Sequence, residues 1–240
     1  MMIEKEQALL AQIIDLFAQR FDRNAVLCGG MVLRILGSPR LTNDLDYAFI
    51  PFKSKKEIID DIINCLKQIP GAEIRHSMNS KCLRVIITVG DISVQVEAKT
   101  AMKIATSTTS TRLLSPLFNL PPRTIKILDF PVAMAHKITA WNERRLIRDL
   151  YDIWFFCRMN IRPDEDILKK RLFKPDYSRA VTKSEYFKGS STDDFFDLLR
   201  NTCASLKDSD IEKELSDYLP AHEIAGLSDM FRAAFATLHS

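Results

Sequence analysis

The chain has 240 residues, 46% of them hydrophobic and 27% charged, with a formal net charge of +3. That length and apolar content suffice for one large domain or two small ones with real cores, and so small a net charge does not by itself require a nucleic-acid partner. No apolar run approaches a membrane span, and Glu4, Lys5 and Glu6 come too early for a signal peptide, so a cytoplasmic protein with no membrane partner is expected.

A first amphipathic helix is predicted over residues 2–21, with Leu9, Leu10, Ile13, Ile14, Leu16 and Phe17 on one side. A short strand over 25–28 runs into Gly29 and Gly30, a helix follows over 30–36, and a strand over 44–50 stops at Pro51. Residues 55–68 repeat the amphipathic helical pattern. Strands over 81–89 and 92–98 flank Gly90-Asp91, a hairpin signal, and 72–78 adds a candidate strand. The Thr/Ser run 106–111 reads as a loop or an irregular edge, and 125–128 as a last short strand. From Pro131 the pattern is helical: 131–142, 147–159, 164–172, 193–206 and 222–238. The layout is α+β first and all-α second, with the boundary near residue 130.

The five cysteines (Cys28, Cys65, Cys82, Cys157, Cys203) are scattered and include no CxxC, as expected of reduced thiols. The four histidines show no ligand spacing. Charge is uneven: residues 1–122 carry +3, residues 123–188 carry +6 and residues 189–240 carry −6. The middle block is either a basic surface for RNA or a solvated face of mixed charge.

The most informative run is Gly29-Gly30-Met-Val-Leu-Arg-Ile-Leu-Gly-Ser-Pro-Arg40-Leu-Thr42-Asn-Asp44-Leu-Asp46. On a strand, Asp44 and Asp46 share a face, about 7 Å apart along the backbone. Two carboxylates so placed repel unless a cation sits between them, and hard oxygen ligands are what Mg²⁺ takes in phosphoryl transfer. Gly29 and Gly30, at a strand end before a helix, suit either a phosphate cradle or a tight turn. Glu97 lies on the candidate hairpin strand 92–98, either as a third acid reaching the same site from an adjacent strand or as an edge glutamate in water.

A second run, Lys137 to Asp152, places Lys137, Arg144 and Arg148 at i, i+7 and i+11, one face if the helix ran unbroken. With Asp149 and Asp152 it reads as a structural ion-pair network or as fixed cations for a triphosphate.

Together the two runs resemble the AbiEii/AbiGii-type nucleotidyltransferase toxins, a branch of the DNA polymerase β-like superfamily. The first matches a Gly-Gly turn, a short helix and Arg-x-Ser/Thr-x-Asp-x-Asp in Arg40, Thr42, Asp44 and Asp46. The second matches Lys-x-x-Ala, Arg, Arg-Asp-x-Tyr-Asp in Lys137, Ala140, Arg144, Arg148, Asp149, Tyr151 and Asp152. The resemblance covers about residues 24–155. It departs at Met31, where a Gly-Ser form carries a hydroxyl, and at Glu97, where an aspartate is more usual.

The resemblance implies a mixed β-sheet core flanked by helices over residues 1–130 and a helical domain over 131–240. It implies transfer of a nucleoside monophosphate from an NTP, with two Mg²⁺ ions, to an acceptor such as tRNA, and an antitoxin partner. A protein or small-molecule acceptor, or a silent nucleotide-binding fold, are the alternatives. Asp44, Asp46 and Glu97 would be the metal ligands and, with Lys137, the catalytic set. Gly29, Gly30, Arg40, Thr42, Lys137, Arg148 and Asp149 would serve the nucleotide.

Overall fold

The computed structural model describes residues 2–173 and 187–238. The chain divides into two compact units after Asp129.

The first unit is a mixed sheet backed by helices. In chain order it runs α1 (Met2–Phe21), β1 (Ala25–Cys28), α2 (Gly29–Ile35), β2 (Asp44–Phe49), α3 (Ile59–Leu66), β3 (Ala72–Met78), β4 (Leu83–Val89), β5 (Ile92–Thr100), β6 (Thr106–Ser110) and β7 (Thr124–Leu128). The seven strands lie in the order β3-β4-β5-β2-β1-β7-β6. β2 runs parallel to β5 and antiparallel to β1, and β1 runs parallel to β7.

Alternation along β2 decides which way the acids face. Leu45, Tyr47 and Phe49 are buried, whereas Asp44 is exposed and Asp46 intermediate. The apolar set packs on α1, whose Phe17 ring lies 5.0 Å from Tyr47 and whose Phe21 ring lies 5.0 Å from Phe49. Burial of these aromatic rings fixes the register, because a slip of one residue would turn the aspartates into the core.

One expectation changes here. Residues 106–110, expected as a loop or an irregular edge, form a regular edge strand paired with β7. Its three threonines are β-branched and favour extended backbone, and an edge position leaves hydroxyls accessible to water. The hairpin at Gly90-Asp91 is present, with positive φ at Gly90 and Val89 opposite Ile92.

The second unit contains α4 (Phe130–Arg144), α5 (Ile147–Arg158), α6 (Glu165–Leu172), α7 (Thr192–Ser205), α8 (Asp208–Leu215), α9 (Ala221–Ile224) and α10 (Leu227–Ala236). Trp141, Tyr151, Trp154, Phe195 and Phe231 supply its aromatic core. Arg145 takes a φ of 54°, and Leu146 is extended, so α4 and α5 are separate helices. The helix expected over 222–238 is likewise split, by Gly226 at φ 77°. α8 was not anticipated: only Ile211 and Leu215 are buried, too few apolar positions to give a period.

Candidate active site

The site in the first unit grows from the junction of β1 and α2. Gly29 has a φ of 71°. A Cβ there would collide with the Asp46 carboxylate, so glycine is needed both for the backbone and for the approach of the acid. Cys28, the register partner of Asp46 on β1, is kept as a thiol: burial, with the Asp46 charge adding to it, pushes its pKa up to about 12.

Gly30 leaves its space to Arg40. A Cβ would meet Arg40 Nη2 at 2.6 Å and Thr42 Oγ1 at 3.3 Å. Arg40 and Thr42 are 6% and 5% exposed. Arg40 Nη1 donates to the Leu41 carbonyl at 3.1 Å, and its backbone N–H donates to Ser38 Oγ at 3.3 Å. The Thr42 hydroxyl donates to Asp44 Oδ1 at 3.1 Å, while its carbonyl accepts from Gln7 Nε2 of α1 at 2.7 Å. The 40–44 turn is thus tied to the helix layer, and Thr42 orients Asp44. Met31, a thioether in place of a hydroxyl, is buried.

Glu97 is the register partner of Asp46, and Gln95 of Asp44, across the parallel β2–β5 pair. The three acids therefore share one face of the sheet. Their carboxylates do not converge: Glu97 Oε1 accepts from Arg84 Nη2 at 2.9 Å, Arg84 Nε at 3.3 Å and Gln95 Nε2 at 3.1 Å. Among the described residues no group of three His, Cys, Asp or Glu side chains closes on a metal position. The chemistry of Asp44 and Asp46 fits a hard divalent cation, since two carboxylates point out of one strand beside a turn with no Cβ at Gly29.

In the second unit the same residue types are arranged differently. Lys137 Nζ lies 2.7 Å from Asp152 Oδ2, with side chains 14% and 1% exposed. Arg144 holds Asp149 through two bonds of 2.6 Å, the fork geometry that suits a carboxylate. The break at Arg145 means that Lys137, Arg144 and Arg148 do not share one helix face. The Arg148 backbone N–H donates to Glu214 Oε1 at 3.0 Å, and its guanidinium lies 6.0 Å from the Tyr218 ring centroid. In the basic block, Lys169 pairs with Glu165 at 3.0 Å and Arg171 with Glu143 at 2.9 Å. Residues 174–186 of that block lie outside the described residues.

The family model for the AbiEii nucleotidyltransferase toxins of type IV toxin–antitoxin systems matches residues 12–236. The chain belongs to that family. It is therefore a nucleotidyltransferase of the toxin type. No curated protein matches it in sequence. Its structure is similar to MenT4, a nucleotidyltransferase toxin of Mycobacterium tuberculosis H37Rv, with a TM-score of 0.57 at 16% identity, over 98% of this chain and 85% of that one. It is also similar to JHP933 of Helicobacter pylori, with a TM-score of 0.54 at 15% identity, over 98% and 93% of the two chains. At such identities the likeness is one of fold, and it extends to the helical unit, where the sequence motifs end.

Arg84 and Gln95 are the residues that the sequence reading passed over. A signal for Arg84 was present. A two-residue turn at Gly90-Asp91 fixes the register of β4 on β5, and counting outward from Val89 and Ile92 brings Arg84 opposite Glu97.

Proposed function

We propose that this toxin transfers a nucleoside monophosphate from an NTP to the 3′ end of tRNA, with Mg²⁺ held by Asp44 and Asp46. The observation that carries the reading is the pair of outward carboxylates on β2, with Asp46 lodged against Gly29 and Asp44 oriented by Thr42. A bound divalent cation supplies charge neutralisation at the transferring phosphate and the departing pyrophosphate.

The protein residues do the rest. Asp44 and Asp46 hold the cation, with Glu97 as the third acid on the adjacent strand. Gly29 and Gly30 offer backbone N–H groups to the triphosphate, and the guanidinium of Arg40 beside Gly30 adds a fixed positive charge. Lys137, oriented by Asp152, balances negative charge that develops on the phosphates. Asp149, gripped by Arg144, supports the helical unit, and Arg148 serves the nucleotide. An antitoxin is the expected protein partner of a chain of this family.

A protein or small-molecule hydroxyl is the second reading of the acceptor. The pairing of Lys169 and Arg171 with glutamates favours it, because it leaves less free basic charge for RNA.

The test is incubation of the protein with each α-labelled NTP, Mg²⁺ and total tRNA, resolved on a denaturing gel. Label is expected on RNA of tRNA size. Label on protein, or on a small molecule alone, supports the second reading. No label in any fraction contradicts both.

A further inference from the structure

Arg84 has no part in the reading above, yet it makes the shortest contact to the third acid. It stands on β4 opposite Glu97, and its Nη2 and Nε donate to Glu97 Oε1 at 2.9 and 3.3 Å. Gln95, two residues back on the same strand face, adds a third donor to that oxygen at 3.1 Å. These contacts turn the carboxylate of Glu97 toward the hairpin. Its backbone, though, is in register with Asp46, and that of Gln95 is in register with Asp44.

Two physical facts frame this. A carboxylate one strand away from two others on the same face is destabilised by them, and a guanidinium offsets the repulsion. The bridge is also weakly held. The Arg84 side chain is 50% exposed and that of Glu97 21% exposed, and pairs so open to water contribute little to stability. It is therefore exchangeable. A glutamate has one methylene more than an aspartate, which gives it the length to serve a partner on either side.

We propose that Arg84 is a displaceable counter-ion of Glu97. In the metal-free protein it holds the third carboxylate toward β4. Glu97 leaves Arg84 when Asp44 and Asp46 hold a divalent cation, because the repulsion among the three acids is then reversed. Arg84 is a positioning residue in this account, acting on the site through Glu97. The proposal rests on the metal assignment of Asp44 and Asp46 made above.

The experiment is a double-mutant cycle read by Mn²⁺ binding, with free Mn²⁺ followed by electron paramagnetic resonance at fixed ionic strength. Wild type, Arg84→Met, Glu97→Gln and the double variant are compared, with melting temperatures to establish that each is folded. Removal of the counter-ion should tighten Mn²⁺ binding roughly two- to fivefold, the scale of an exposed ion pair. Glu97→Gln should weaken binding, and in that background Arg84→Met should have no further effect. An equal gain in both backgrounds would mean that Arg84 acts only as a distant positive charge, and that result overturns the proposal. So does an Arg84→Met variant that binds as wild type does. Asp46→Asn, run in parallel, separates the two levels. If wild type shows no Mn²⁺ binding that Asp46→Asn removes, the metal assignment itself fails. If that dependence holds and the cycle shows no coupling, only the role of Arg84 fails.

Discussion

Each unit of the chain carries a pair of aspartates close together in sequence, and the pairs are treated in opposite ways. In the helical unit Asp149 and Asp152 are 0% and 1% exposed, and each is matched to a cation, Arg144 and Lys137. In the sheet unit Asp44 is exposed and Asp46 intermediate, on the face of β2 opposite the aromatic core. A buried carboxylate with its counter-ion removed is a large cost to the fold, whereas an outward carboxylate costs the fold little to alter. The first pair holds helices together, and the second is available for chemistry.

The largest effect that tests this contrast is on stability. Asp152→Ala leaves the Lys137 ammonium, itself mostly buried, without its partner. It should lower unfolding stability by about 3 kcal/mol or more, measured by urea denaturation. A loss under about 1 kcal/mol would mean that the pair behaves as a surface bridge.

Lys137 sharpens the contrast, because it is placed in both roles. Lys137→Met should lower turnover roughly 100-fold if its ammonium serves the triphosphate. That variant also takes the Lys137 ammonium from the buried Asp152 carboxylate, so the double variant Lys137→Met/Asp152→Leu is the informative one. It should regain the melting temperature without regaining turnover. Recovery of both would make Lys137 structural only.

Gly29→Ala addresses the sheet unit. The φ of 71° and the crowding of Asp46 should together cost about 1–3 kcal/mol, and transfer should fall because the carboxylate is pushed aside. An alanine variant with wild-type transfer would show that Asp46 tolerates movement. The smallest effect expected is at Cys28. With its pKa raised to about 12, the thiol stays protonated well above neutral pH, and iodoacetamide at pH 8 should leave it unmodified in the folded protein while modifying it after denaturation. Rapid alkylation of the native protein would contradict the raised pKa of that thiol.

Much of this arrangement was legible in the residues. The alternation Asp44-Leu45-Asp46-Tyr47 set both acids on one face, and the glycine turn before the first short helix was apparent from its two glycines. Glu97 was legible as a third acid on the 92–98 hairpin strand, with the choice between the site and open water left to the pairing of β5 with β2. What stayed hidden was long-range or conformational. That β2 lies between β1 and β5 follows from strand order, which local pattern does not encode. The break at Arg145 requires positive φ at an arginine, a conformation that no residue-type rule anticipates. The edge strand β6 was concealed because its Thr/Ser composition lacks apolar alternation. The partner of Glu97 could have been counted from the hairpin turn, whereas the Arg40 guanidinium packed over Gly30 depends on a side-chain path that only the folded structure defines.

The most direct measurement is nucleotidyl transfer by Asp44→Asn and Asp46→Asn, set against their melting temperatures. Label from an α-labelled NTP should fall at least about 100-fold in each variant, the scale of losing one preorganised charge-stabilising group. The melting temperature should hold or rise as the like-charge repulsion is removed. A variant that keeps near-wild-type transfer, or that loses transfer only because it unfolds, would contradict the assignment of these outward carboxylates as the centre of the reaction.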